Sequence, residues 1–256
     1  MILAILQARM GSSRLPGKVL KPLLGRPMLL RQIERVRQSR RIDKLCIATT
    51  IEPGDDTLED LCRQEGIDCF RGSENDVLDR FYQAARSRSP QSVVRLTADC
   101  PLIDPQVIDE VVDCHTAGNF DYTSNIEPPT FPDGLDVEVL TSSTLRRTWT
   151  EARLPSEREH VTPYIRKHPA LFRQGIIRAV EDLSRYRWTV DQEEDFRLVT
   201  AIFEELFPKN PSFSYREVLH WLKEHPEVTA LNAGISRNEG LGRSMARDHD
   251  LQPRIP

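Results

Sequence analysis

The chain has 256 residues, 35 Lys and Arg against 39 Asp and Glu, and a net charge of −4. With 39% apolar and 29% charged residues it reads as an ordinary globular protein, neither disordered nor membrane-embedded. No apolar span of about 20 residues and no secretory leader is recognisable. Five cysteines without a C-x-x-C pair, and six histidines without H-E-x-x-H, argue against zinc and a disulfide framework and for a reduced, cytoplasmic protein.

The first predicted element is a short buried strand near 2–7, which empties into Gln7-Ala8-Arg9-Met10-Gly11-Ser12-Ser13-Arg14-Leu15-Pro16-Gly17-Lys18. Glycines let the backbone turn tightly, so that successive N–H groups can face one anion. Arg9, Arg14 and Lys18 add fixed positive charge, and a loop at the carboxyl end of a first strand is where nucleotides dock in α/β sheets. The pattern is neither a P-loop, since Val19 stands where Ser or Thr would hold magnesium, nor a dinucleotide G-x-G-x-x-G. Residues 1–44 hold eleven Lys and Arg against two acids, while the rest holds 24 against 37. Such local basicity suits a triphosphate better than a nucleic acid, which needs a broader basic face. Arg35, Arg37, Arg40 and Arg41 are expected to be only a solvated helix end.

Further strands are predicted near 44–49, 68–71 and 92–97, and helices near 28–38, 55–65, 75–88 and 105–117. Asp55-Asp56-Thr57 and Asp104-Pro105 read as helix starts with a capping oxygen. This alternation implies a Rossmann-like, mostly parallel sheet with helices on both faces. Beyond residue 120 the rhythm changes. A Pro/Gly-rich loop at 128–134 precedes a strand at 135–140, a helix at 142–153, a short helix at 159–167 and a strand at 172–180. Residues 187–190 are expected to return to the sheet, followed by helices at 193–206 and 215–224. The stretch 120–180 reads as an insertion covering an acceptor site in a single domain of residues 1–230. From Asn232 onward no apolar period remains, and 231–256 is expected to be a loosely ordered tail.

Asp99 follows the apolar strand 92–97 and Asp191 follows Trp188-Thr189-Val190. Carboxylates at strand ends can hold a hard cation against phosphate oxygens. Asp136 and Glu138 alternate onto one strand face, where paired acids can accept from hydroxyls. Arg158, in Glu157-Arg158-Glu159-His160, offers a planar fork for a carboxylate, with His160 as a second donor.

The loop at 7–18, with Leu23-Leu24-Gly25-Arg26-Pro27-Met28, resembles the nucleotidyltransferase fold family and its cytidylyltransferases that activate acidic sugars. Arg71-Gly72-Ser73, Asp76-Val77-Leu78-Asp79-Arg80-Phe81 and Leu96-Thr97-Ala98-Asp99-Cys100-Pro101 extend the likeness to the spore-coat polysaccharide biosynthesis protein F branch. Pro132-Asp133-Gly134-Leu135-Asp136, Glu157 to Thr162 and Trp188 to Asp191 follow in the same order. The resemblance implies a GT-A-like fold and transfer of CMP from CTP to an acidic sugar, with pyrophosphate released. It further implies a homodimer built partly by the insertion. Nucleotide contacts would come from Gln7, Ala8, Arg9, Gly11, Ser12, Ser13, Arg14 and Lys18, with Arg71 and Arg80 at the base or ribose. Asp99 and Asp191 would hold Mg2+, and Asp136, Glu138, Arg158 and His160 would bind the acceptor. Arg14, Lys18 and Asp99 are the expected catalytic groups, the first two neutralising the departing phosphates.

Two other readings fit the residues. A nucleotide-sugar glycosyltransferase usually holds metal through D-x-D, which Asp191-Gln192-Glu193 and Asp136-Val137-Glu138 match imperfectly. A catalytically silent binding protein of the same fold would not need Lys18, Asp99 and Asp191 together.

Overall fold

The computed structural model describes residues 1–237 and 239–251. The first half follows the predicted alternation. It runs β1 (Ile2–Gln7), a small hairpin of β2 (Pro22–Leu23) and β3 (Arg26–Pro27), α1 (Met28–Val36), β4 (Lys44–Thr50) and α2 (Asp56–Gln64). Then come β5 (Asp68–Gly72), α3 (Val77–Arg86), β6 (Ser92–Thr97) and α4 (Pro105–Gly118). The second half adds β7 (Tyr122–Ser124), β8 (Glu138–Thr141), α5 (Ser142–Glu151), α6 (Pro155–His160), α7 (Pro163–Lys167) and β9 (Gln174–Ile176). It closes with α8 (Glu193–Leu206), α9 (Tyr215–Glu224), α10 (Pro226–Thr229) and α11 (Glu239–Leu251).

Seven strands form one sheet in the order β5-β4-β1-β6-β8-β7-β9. β5, β4, β1 and β6 are parallel, and β8 runs antiparallel to both β6 and β7. Side-chain alternation explains the layers. Ala4 and Leu6 of β1 pack with Met28 of α1, Val107 of α4 and Val199 of α8. Leu3 and Ile5 pack with Phe81 of α3 and Leu145 of α5 on the opposite face. Gln7 lies level with Ala48 on one side and Thr97 on the other, so β1, β4 and β6 empty at one edge. β1 and β6 flank the point where chain order reverses, the usual place for a ligand in an open α/β sheet.

Buried polar side chains brace the loops at that edge. Gln32 of α1 donates to Thr97 O at 2.8 Å and accepts from Cys100 N at 3.3 Å, holding the turn that carries Asp99. Asp104 caps α4 as expected, accepting from Gln106 N at 2.8 Å. Asp55 differs from expectation. It makes no capping bond to α2 and instead accepts from Met10 N at 2.7 Å and from the Thr49 and Thr50 hydroxyls at 2.8 and 2.5 Å. It therefore ties the glycine-rich loop to the end of β4. Arg35 is buried rather than solvated, because the carbonyls of Ile103 and Phe213 accept from its guanidinium at 2.8 and 2.9 Å.

Residues 187–190 do not rejoin the sheet. Only an isolated bridge joins Arg187 to Asp133, and Val190 N donates to Asp99 O at 2.7 Å. Loop carbonyls satisfy this segment in place of a strand partner. The helix expected at 159–167 is divided into α6 and α7 by a γ-turn. Val161 has φ 71°, and Thr162 N donates to His160 O at 2.8 Å. The strand expected at 172–180 shortens to β9. The segment expected to be a loose tail contains α11 packed against α6, and Asn232 is buried, donating to Asp195 at 2.8 Å. Residues 252–256 of that expectation lie outside the described part of the chain.

Gly134, with φ 110°, lets the 131–136 loop touch Trp188 and Thr189. A Cβ there would stand 2.7 Å from both Thr189 N and Trp188 C. Gly134→Ala is expected to destabilise the fold by about 1–3 kcal/mol in urea unfolding. An unchanged midpoint would show that the two backbones can separate without cost.

Candidate functional site

Loops leaving β1 and β6 enclose a cavity of about 670 Å³. Gln7, Ala8, Arg9, Ser12, Ser13, Arg14 and Lys18 all line it, as the loop pattern suggested; Gly11 belongs to the loop without lining the wall. Gly17, in the left-handed region, turns the chain into a short 3-10 helix over Lys18–Leu20 and sends the Lys18 side chain inward. Its ammonium, buried at 8% residue exposure, donates to Asp99 Oδ2 at 3.1 Å, Asp191 Oδ1 at 3.0 Å and Val190 O at 2.7 Å. All three N–H bonds are used. Burial lowers the Lys18 pKa, but Asp99 and Asp191 outweigh it and hold it above the usual lysine value. Burial likewise raises Asp191, yet Lys18, Arg14 and Arg187 win and bring it to about 2. Arg14 and Arg187 each stand 2.9 Å from Asp191 Oδ2.

Asp99 and Asp191, 92 positions apart, thus converge on one cation. The set comprises hard oxygens: two carboxylates with a main-chain carbonyl between them. No group of three or more His, Cys, Asp or Glu able to hold a metal occurs among the described residues. Two carboxylates suit an ion such as Mg2+ that takes its other ligands from phosphates and water. The donor set therefore fits the expected metal.

A second cavity of about 280 Å³ meets the first at this pair, and Gln7, Arg14, Thr97, Asp99, His160 and Asp191 belong to both walls. Asp136, Glu138 and His160 line the second cavity; Arg158 lines only the first. The four acceptor candidates are therefore not one cluster. The Arg158 guanidinium is engaged by Asp76 Oδ2, at 3.0 and 2.5 Å, and by Trp149 O at 2.8 Å. Glu138 is buried, with Oε1 accepting from the Tyr122 and Thr162 hydroxyls at 2.6 Å each and Oε2 against Arg95. Burial would raise its pKa, but Arg95 and Arg166 lower it. Glu138 thus braces the wall with both oxygens occupied. Asp136 precedes β8 and pairs with Arg237 at 2.7 Å; burial nevertheless pushes its carboxyl up to about 7.

Arg80 lines the first cavity but is 2% exposed and donates to Ser73 O at 2.6 Å. Arg71 lines neither cavity. It sits at the end of β5 and pairs with Asp56 and Glu59 of α2, at 2.7 and 2.8 Å. Its guanidinium is thus held by carboxylates of α2, away from the two cavities to which the expected nucleotide contact would belong. Glu193, needed for a D-x-D-like motif, faces solvent and pairs with Lys21 at 2.8 Å.

Sequence reasoning missed Arg187, whose buried guanidinium joins Asp133, Asp191 and Asp195 at 2.9–3.0 Å. Its position four residues before Asp191 was the available signal. Arg95 and Arg166 of the second cavity, and the α11 residues Gly240 and Arg247, were also missed. The strand and helix patterns holding these residues carried no ligand signature.

The fold, with a large basic cavity beside paired carboxylates, is that of a nucleotidyltransferase. Residues 3–231 match the cytidylyltransferase family, and the chain belongs to it. It is 39% identical over 234 residues to the spore coat polysaccharide biosynthesis protein SpsF of Bacillus subtilis, covering 89% of this chain and 96% of that one. A cytidylyltransferase structure from Leptospira borgpetersenii aligns with a TM-score of 0.85 at 34% identity, covering 92% of this chain and 99% of that one. CMP:2-keto-3-deoxy-manno-octonic acid synthetase, solved with CTP, shares the fold with a TM-score of 0.63 at 16% identity, covering 80% of this chain and 98% of that one. Membership of this family argues against the glycosyltransferase reading.

Proposed function

We propose that the chain transfers CMP from CTP to a hydroxyl of an acidic sugar, releasing pyrophosphate, in surface polysaccharide biosynthesis. The observation that carries this reading is the meeting of two cavities at Asp99 and Asp191. Transfer between two bound substrates needs the reacting atoms side by side, which such a junction provides. The larger cavity takes the nucleotide, with Lys18, Arg14 and the N–H groups of the glycine-rich loop opposing phosphate charge. The smaller takes the sugar. There the acceptor oxygen bonds the α-phosphorus as the bond to the bridging oxygen of pyrophosphate breaks.

Asp99 and Asp191 would hold Mg2+, which when bound supplies positive charge at the α-phosphate and acidifies the attacking hydroxyl. Arg158 stands outside the second cavity, so a sugar carboxylate there would meet the arginines that line it, among them Arg95 and Arg166, each paired in this structure with a glutamate. A homodimer is part of this reading. Leu171, Ile176 and Val180 are exposed on the inserted segment, and Ile176 lies on the edge strand β9.

The test is a pyrophosphate-release screen crossing four nucleoside triphosphates with sugar acids, neutral sugars and sugar 1-phosphates, with and without Mg2+. Release is expected only with CTP, a 2-keto-3-deoxy sugar acid and the metal. Use of ATP, GTP or UTP with CTP ignored would reject the cytidylyl assignment. Preference for neutral sugars or sugar 1-phosphates would reject the acidic acceptor.

A further inference from the structure

α11 lies beyond the residues that match the family, yet it walls both cavities: Gly240 and Leu241 border the second, Gly240 and Arg247 the first. Its docking is polar. Asp248 accepts from the N–H and hydroxyl of Ser156, at the start of α6, at 2.9 and 2.5 Å. Four residues earlier, the buried Ser244 hydroxyl stands 3.1 Å from His160 Nε2, 2.6 Å from Glu159 Oε2 and a longer 3.2 Å from Gly240 O.

A hydroxyl carries one proton. At 2.6 Å from a carboxylate oxygen that proton belongs to Glu159, because two bare oxygens at this distance would repel. The Ser244 oxygen must then accept, and His160 Nε2 must donate to it. Burial, with Arg95 next, brings the imidazole pKa down to about 4, so the ring is neutral at pH 7 and has a single N–H. Nδ1 is left as a bare lone pair. It has no hydrogen-bond partner among the described residues and is not sealed from solvent, and its ring lines both cavities. The γ-turn at Val161, a strained conformation for a β-branched residue, fixes the backbone beside it. The sequence-based expectation made His160 a donor to a carboxylate; this hydrogen-bond order makes it an acceptor toward the cavity.

We infer that Ser244 is a positioning residue which sets the His160 tautomer, so that Nδ1 accepts from a hydroxyl of the acceptor sugar, and that α11 is thereby a working part of the acceptor subsite. The sugar as ligand rests on the proposed transfer reaction; the tautomer does not.

Imidazole 15N NMR of the full chain separates the two, with His160→Gln identifying the resonance. The wild type should show the Nε2–H form, Ser244→Ala a mixed or Nδ1–H form, and Ser244→Thr the Nε2–H form again. With CTP and 3-deoxy-manno-octulosonate as probes, Ser244→Ala should raise the sugar's KM by on the order of 10-fold, while the KM for CTP stays within about twofold. Ser244→Thr should recover most of the difference. An Nδ1–H ring in the wild type, or the same tautomer in Ser244→Ala, would overturn the positioning role. Equal loss toward both substrates would do so too, since it would mark general packing. Absence of transfer to any sugar would remove the ligand assignment alone and leave the tautomer measurement to decide the role of Ser244.

Discussion

Replacing Asp99 by Asn is expected to lower kcat by on the order of 10²-fold or more, with circular dichroism and the unfolding midpoint nearly unchanged. Asn keeps the shape and one acceptor oxygen but removes one of the two negative charges that converge on Lys18. The side chain is only partly buried, so folding gains little from its charge. Under the proposed mechanism that charge would help to hold the metal, which would supply positive charge where transition-state charge is largest. Lys18→Met should show a loss of the same order, by removing the cation that would offset the departing phosphates in the proposed mechanism and leaving Asp99 and Asp191 to repel each other. If Asp99 and Lys18 were only partners in a structural ion pair, steady-state pyrophosphate release would stay near wild type in both variants. Normal kinetics with intact spectra would therefore sink the mechanism.

Arg187→Met should cost about 3–5 kcal/mol of unfolding free energy in urea with an unchanged m-value. The guanidinium bonds Asp195 Oδ1 at 2.9 Å, Asp133 Oδ2 at 3.0 Å and Asp191 Oδ2 at 2.9 Å. Asp195 is 0% exposed and Asp133 7%, so methionine would strand carboxylates where water cannot reach them. Asp191 N and Gln192 N also donate to Asp195, at 2.9 and 3.0 Å, so the loop presenting Asp191 to Lys18 should loosen with it. Adding Asp195→Asn to Arg187→Met should recover part of the loss, because one stranded charge is removed and the two residues are directly coupled. A loss below about 1 kcal/mol would place this network among surface ion pairs of little consequence.

The glycine-rich loop was legible because its signals are local. A strand ends, glycines permit a turn, and basic side chains follow within a dozen positions; Gln7, Ala8, Arg9, Ser12, Ser13, Arg14 and Lys18 line one cavity wall. Asp99 was legible for the same reason, at the end of a strand whose apolar run is plain. Asp191 is marked in the sequence by the run Trp188-Thr189-Val190 before it, a segment that the structure leaves outside the sheet. The N–H groups of its β-forming residues Trp188 and Val190 donate to the loop carbonyls of Asp133 and Asp99, a partner choice no local pattern encodes. Arg71 and Arg158 show the converse. The sequence suggests a ligand-facing cation at each, and each is held by an acid from another element, Asp56 and Glu59 for one and Asp76 for the other, although Arg158 still lines the first cavity. A charged residue's role depends on which opposite charge packing brings nearest, often from far along the chain.

By itself, then, the sequence determined the order and type of the parallel strands and their helices, because hydrophobic periodicity acts over a few residues and tolerates no alternative face. It also placed a glycine-rich basic loop at the end of the first strand, where a phosphate is expected to be cradled. Only the tertiary structure decided that Lys18, Asp99 and Asp191 meet, that Arg187 is the buried counter-charge behind them, and that α11 closes the cavities. Those outcomes rest on long-range burial. A cation finds its carboxylates, and a polar helix its caps, only after the sheet has set the loops side by side.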